Sequence, residues 1–272
     1  MKIGISNLAW PAGDDAKIAP ILAALGVDTV DLAPGKYAAR AGWPEAAAVD
    51  HVRRWWADFG ISIRGVQSLF FGQPHLNLFG EVAVREAMLA RFEHVAELAE
   101  RLGASKLVFG SPGNRRRGAF AASEAGPAAI EFARRAGDIA AAHHALLCIE
   151  AAPVAYGGDF AVTTHEAAAW VEAAAHPAVR LQLDTGIATL LGEDFTELVE
   201  RNAHLTGHIH VSEANLAILG DSDTKHEVFA AAIGGTLPHL GVTIEMLARP
   251  EEDAAPAVER AVRYALLHYG AS

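Results

Sequence analysis

The chain has 272 residues, 51% of them hydrophobic, and a formal net charge of −11. That length suits two ordinary domains or one α/β barrel, for which about 250 residues is typical. No apolar run reaches the length of a membrane span, and the acidic balance argues against a nucleic-acid partner, which would favour a basic face. Met1–Ser6 enters a strand at once with no signal-peptide pattern. The single Cys148 excludes an intramolecular disulfide and fits a reducing compartment, so a cytoplasmic protein is expected.

Short β-branched runs alternate with longer, alanine-rich amphipathic stretches. Strand Lys2–Ser6 precedes a helix through Ile18, Ile21, Leu22 and Leu25, closed by Gly26. Strand Asp28–Ala33 precedes a helix around Val52, Trp55 and Trp56 that ends at Gly60. Strand Ile61–Ser68 leads to the clearest helix, where Met88, Phe92, Val95, Ala99 and Leu102 recur at helical spacing before Gly103. Strand Lys106–Phe109 leads to a helix from about Pro127 to Ala141, with the proline in its first turn. Strand Leu146–Glu150, a helix over Thr164–Ala174 and strand Val179–Asp184 follow. The seventh strand opens the stretch Leu205–Asn215, the eighth is Val242–Glu245, and a helix through Val258, Val262, Ala265 and Leu266 closes the chain. Eight strands, each followed by a helix, with no composition break, predict one domain over 1–272 folded as a single (β/α)8 TIM barrel. A doubly wound sheet would carry a glycine-rich phosphate turn after an early strand, and Ser6-Asn-Leu-Ala-Trp10 is not one.

Alternation along the seventh strand puts Thr206, His208 and His210 on one side, and Leu205, Gly207 and Ile209 on the other. Four consecutive strands end in metal-competent side chains: Glu150, Asp184, His210 and Glu245. In a barrel all four point to one centre at the C-terminal mouth. Three uncompensated carboxylates there would repel one another unless a cation or protons intervened, and a divalent ion is the simplest resolution. Three carboxylates and an imidazole suit Mn²⁺ above all, with Mg²⁺ or Co²⁺ also acceptable, better than structural zinc. Two octahedral positions then stay open for adjacent sugar oxygens.

Around that centre, Trp10, Phe70, Phe71 and Tyr156 offer an apolar wall for a sugar ring. Gln67 faces the interior near the end of strand three, and His226 follows the Asp221–Thr224 loop. His208 lies one inward position deeper than His210, which suits packing or support of a ligand more than ligation. Trp10, Gln67, Tyr156, His208 and His226 are the candidate substrate contacts. Asn114-Arg-Arg-Arg117 either clamps an anion or forms a solvated basic loop.

These residues resemble the xylose isomerase-like barrel superfamily, in particular its sugar phosphate isomerase/epimerase members, which include ketose 3-epimerases. The resemblance runs nearly end to end. It is carried by Cys148-Ile-Glu-Ala-Ala-Pro153 with Tyr156-Gly-Gly-Asp-Phe160, by Leu183-Asp-Thr-Gly186, by Gly207-His-Ile-His210 with Ser212-Glu-Ala-Asn215, and by Thr243-Ile-Glu-Met246. It implies that Glu150, Asp184, His210 and Glu245 bind the metal, and that Glu150 and Glu245 also serve as acid and base on opposite faces of the substrate. Ile187 stands where ketose 3-epimerases carry a histidine, and Leu216 where they carry an arginine. Both family residues hold substrate oxygens, so the metal core is kept while ketohexose recognition is not. The extra histidines with which related apurinic endonucleases build a three-metal site are missing from strands three and four, which argues against nuclease activity.

The expected activity is isomerisation or epimerisation of a carbohydrate or cyclitol by proton transfer beside a carbonyl, through an enediolate. A lyase of dehydratase or deglycosidase type is the alternative, and a non-catalytic sugar-binding barrel has little need for two glutamates flanking a metal. The loops around Gly72–His75 and residues 113 to 122 offer lids or the contacts of a homo-oligomer.

Overall fold

A computed structural model describes residues 1–11, 13–37, 46–247, 249 and 251–270. Eight parallel strands form it: β1 (Ile3–Ser6), β2 (Thr29–Leu32), β3 (Ser62–Val66), β4 (Lys106–Phe109), β5 (Leu146–Ile149), β6 (Val179–Asp184), β7 (Thr206–Ser212) and β8 (Val242–Glu245). They pair in chain order, and β8 closes on β1 to complete the barrel. Around it lie α1 (Asp15–Ala24), α2 (Ala46–Ala57), α3 (Val82–Leu102), α4 (Ala122–Ala142), α5 (Thr164–Ala174), α6 (Thr185–Leu191), α7 (Phe195–Asn202), α8 (His226–Thr236) and α9 (Ala254–Tyr269). This is the expected (β/α)8 architecture. No helix among the described residues is long and apolar enough to cross a membrane.

The strands read as near-continuous apolar runs because helices cover one face and the barrel interior the other. Every residue of β1, β2 and β7 is buried. Helix α3 turns Met88, Phe92, Val95, Ala99 and Leu102 inward and stops at Gly103, whose φ of 78° is the left-handed cap that side chains resist.

Three local expectations are corrected. Helix α4 begins at Ala122 rather than Pro127, because the Ala121 carbonyl already accepts the N–H groups of Glu124 and Ala125. Pro127 therefore sits inside the helix, where it costs one backbone hydrogen bond. Two short helices, α6 and α7, fill the β6–β7 connection instead of one. Strict alternation also fails in β7: its pairing with β6 shifts register between Leu181 and Gln182. A Cβ added to Gly207 would lie 2.5 Å from Arg180 Cβ and 3.3 Å from Cys148 Sγ, so Gly207 turns toward those side chains and not outward with Ile209.

Candidate metal centre

Glu150 follows β5 directly, Asp184 ends β6, His210 lies in β7 and Glu245 ends β8. One donor atom from each falls within 4.8 Å of the others. His210 Nδ1 is 3.3 Å from Glu245 Oε2 and 3.7 Å from Glu150 Oε1. Yet His210 Nδ1 and Glu150 Oε1 are buried with no hydrogen-bond partner. Buried polar atoms are rarely left this way. Three carboxylates and one imidazole nitrogen form an oxygen-rich donor set that fits a divalent cation.

The donors are braced from below and beside. Asp31, fully buried in the middle of β2, accepts from His208 Nε2 at 2.6 Å and from His210 Nε2 at 3.4 Å through the same Oδ2. With its proton on Nε2, a neutral His210 would turn the lone pair of Nδ1 toward the carboxylates. Ser212 Oγ donates to Asp184 at 2.7 Å, and the Ile187 N–H donates to Asp184 Oδ1 at 2.6 Å, so Asp184 also caps α6. Gln67 Nε2 donates to Glu245 Oε1 at 2.5 Å. Arg115, fully buried, donates from Nη2 to the Glu150 carbonyl at 2.5 Å, with its guanidinium 5.3 Å over the Phe109 ring.

Crowding shows in the electrostatics. Burial, then repulsion from Glu245 and Asp184, pushes the Glu150 carboxyl well above the usual range. Burial and Glu245 raise Asp184 to about 6. For His210, burial opposes the charged form, but the carboxylates of Glu245, Asp31 and Glu150 outweigh it and hold the imidazolium well above its ordinary value. Burial likewise opposes charge on Glu245, yet His210 and the Gln67 amide bring its carboxyl below the usual range.

Above the donors opens a cavity of about 340 Å³, at the small end of ligand sites, whose range is roughly 300–1,000 Å³. Gly110 on its wall makes room for Glu150: a Cβ there would lie 2.1 Å from Glu150 Oε2. A Gly110→Ala variant is expected to fold normally but bind Mn²⁺ about 10–100-fold more weakly, because the carboxylate must swing away. Calorimetric titration with circular dichroism checks this, and unchanged affinity would remove Gly110 from the site.

Of the candidate substrate contacts, Gln67 and Tyr156 line the cavity, and three others do not. Trp10 is fully buried, its Nε1 donating to Asp15 at 2.6 Å and its ring 6.2 Å from Trp56, so it belongs to the core. Phe70 is likewise buried against Phe109, while Phe71 lies 73% exposed on the surface. His208 lies beneath the cavity, held by Asp31. His226 is bonded to Tyr269 at 2.6 Å and to Glu213 at 3.2 Å, and it serves the cavity only through Glu213.

The basic run is buried at Asn114 and Arg115 and exposed at Arg116, and it makes contacts to neighbouring loops. Asn114 Nδ2 donates to the carbonyls of Gln73 and Leu76, Arg116 Nε to the Gly157 carbonyl, and the Arg117 and Gly118 amides to Asp159. With Arg115 on Glu150, the run stitches together the loops after β3, β4 and β5. Asp31, Ser212, Arg115 and Gly110 were not assigned from sequence.

Glu213 lines the cavity, and its carboxylate accepts from Ser222 Oγ and, at 2.9 Å, from the Gly220 N–H. Burial opposes its charge, but bonds from His226, Ser222, Thr224 and Gly220 hold it at about 2. A depressed folded-state value stabilises the protein fully above the ordinary carboxylate value of about 4.3, and that contribution fades as pH falls toward the folded value. A Glu213→Gln variant is expected to lose roughly 2–3 kcal/mol at neutral pH. Denaturant titrations at stepped pH should show the gap closing in that acid window; a gap independent of pH would assign the loss to packing.

A sequence profile described as xylose isomerase-like TIM barrel matches residues 20–263. The chain belongs to that family. Solved structures similar to this xylose isomerase-like barrel include a D-psicose 3-epimerase determined in the presence of D-fructose, at 19% identity and TM-score 0.80, covering 100% of both chains. An L-ribulose 3-epimerase gives 14% identity and TM-score 0.82 over 98% of this chain and 94% of that one. A 3-keto-D-glucoside 4-epimerase from E. coli gives 14% identity and TM-score 0.80 over 97% and 98%. At these identities the likeness speaks for the fold alone. No curated protein matches the chain. The four residues marked as ligands by the sequence resemblance are the four whose donor atoms converge in this xylose isomerase-like barrel.

Proposed function

We propose that the protein is a divalent-metal-dependent isomerase or epimerase of a sugar or cyclitol, with Mn²⁺ as the preferred ion. The reading rests on one observation: four donors from successive strands converge, three of them (Glu150, Asp184 and Glu245) lining the cavity, and two of the donor atoms are buried and unpartnered. Similarity to sugar 3- and 4-epimerases supports it. Glu150, Asp184, His210 and Glu245 would hold the ion, which when bound polarises a carbonyl and acidifies the neighbouring C–H. Glu150 and Glu245 reach the cavity from β5 and β8, so one removes the proton beside the carbonyl and the other returns it from the opposite face. Gln67 fixes the rotamer of Glu245, and Arg115 fixes the backbone that carries Glu150. Tyr156 OH accepts from the Asn215 N–H at 2.8 Å, which leaves its own proton free for a substrate oxygen. None of the three arginines lines the cavity, which favours an unphosphorylated substrate. The buried thiol of Cys148 fits a cytoplasmic setting.

The deciding experiment is incubation of the Mn²⁺-loaded protein with ketoses, keto-cyclitols and phosphorylated ketoses in D₂O. Deuterium entering a free substrate without loss of any group is the expected result. Loss of water or of an aglycone would make the protein a lyase, faster turnover of the phosphorylated members would overturn the unphosphorylated assignment, and no exchange with any member would overturn the reading.

A further inference from the structure

The cavity lining mixes polar groups with branched apolar side chains. Taken around the closed strand order, the loops after β3 and β4 supply Gln67, Ser68 and Ser111. The loops after β6, β7 and β1 supply Ile187, Leu216 and Leu8, beside the carboxylates of Asp184, Glu213 and Glu245 and the Ser212 hydroxyl. No lysine, arginine or histidine is among the described residues lining the cavity. Ile187, 7% exposed in the first turn of α6, has its backbone fixed beside the Asp184 carboxylate by its N–H bond to it.

Leu216 is held as firmly and at a cost. Asn215 and Leu216 have φ of 59° and 51°, two consecutive non-glycine residues in the left-handed region. Strain of this kind persists only where the surroundings over-determine it, and it gathers at functional sites. Here the Asn215 N–H is fixed by Tyr156 OH, the Leu216 N–H by the Glu213 carbonyl at 3.0 Å, and the Leu216 carbonyl by the Leu247 N–H at 3.0 Å. These bonds hold Leu216 in the cavity wall.

We infer that Ile187, Leu216 and Leu8 form a specificity wall for an apolar substituent, so that the substrate is a keto-sugar or keto-cyclitol carrying an apolar group and not a free polyhydroxylated ketose. The inference rests on the sugar-isomerase reading above. A sugar hydroxyl pressed on this wall loses its water partners without replacement, whereas an aryl or alkyl group gains by leaving water.

The test measures binding as well as turnover. The Mn²⁺-loaded protein is titrated calorimetrically with D-fructose, with 3-keto-glucose and with phenyl 3-keto-β-D-glucoside, the last two sharing one carbonyl. The phenyl glycoside should bind about tenfold or more tightly than 3-keto-glucose, and D-fructose weakly. The pair Ile187→His and Leu216→Arg should erase the phenyl preference and improve D-fructose. If that pair does not fold, Leu216→Ala should shrink the preference by itself. Equal binding of the two keto-sugars, or a preference untouched by these substitutions, would overturn the wall. Deuterium exchange separates the two ideas: a phenyl preference without exchange sinks the isomerase reading alone, and exchange without a preference sinks the wall alone.

Discussion

An Asp184→Asn variant is expected to lose divalent-metal binding and turnover together while keeping its fold. Asp184 has two duties that this change separates. As cap of α6 it accepts the Ile187 N–H, and asparagine caps a helix about as well as aspartate. As a donor in the proposed metal site it would supply a charge, which asparagine lacks, amid two further carboxylates whose repulsion a cation would relieve. Ser212 Oγ, now donating to the carboxylate, can reorient to accept from the new amide, so the local structure has a route to relax. Even outer partners of metal ligands are worth about 10–100-fold in affinity, so loss of a ligand should exceed roughly a hundredfold in both Mn²⁺ affinity and kcat. Calorimetric titration, steady-state rates and a melting curve read the three quantities. An asparagine variant that binds Mn²⁺ like the parent would remove Asp184 from the ligand set.

The second large effect is expected from Asp31→Asn. One carboxylate oxygen serves both His208 and His210, and all three side chains are buried. Burial opposes the charge on Asp31, but the two imidazoles more than compensate and hold its carboxyl below the usual range. Removing one partner of a buried charged network costs about 3–5 kcal/mol. The same change frees the ring of His210 and its tautomer, so Mn²⁺ affinity should fall about 10–100-fold. The predicted signature is a melting temperature lower by several degrees together with weaker metal binding. A lower melting temperature with unchanged affinity would make Asp31 a fold residue only.

The barrel and the convergence of Glu150, Asp184, His210 and Glu245 were legible in the sequence because each announces itself locally. Glu150, Asp184 and Glu245 each end a short strand pattern rich in apolar residues, and His210 lies in a strand that breaks into polar residues. The bracing was not legible, since its partners are remote. Asp31 looks like a polar interruption between Val30 and Leu32, and its meaning lies 177 and 179 residues away in His208 and His210. Arg115 sits in a charge run that reads as solvated; only the folded chain brings the Glu150 carbonyl to it. Trp10 follows a strand end and reads as a ring for stacking, but Asp15, five residues on, turns its indole into the core. His226 was expected at the site and meets Glu213 instead, because the intervening loop folds back on that carboxylate.

The donors occupy four consecutive strands, β5 to β8, while β1, β3 and β4 contribute cavity walls through the loops that follow them. That partial separation bears on how such a barrel diversifies. Drift in the loops after β1, β3 and β4 would reshape the cavity without displacing the four converging side chains, whereas drift at Ile187 or Leu216 would act beside them. The freedom has two fixed points, Gly110 and Gln67, where the walls touch the carboxylates themselves. Divergent descendants of this chain should therefore vary widely around those positions and hardly at all at them.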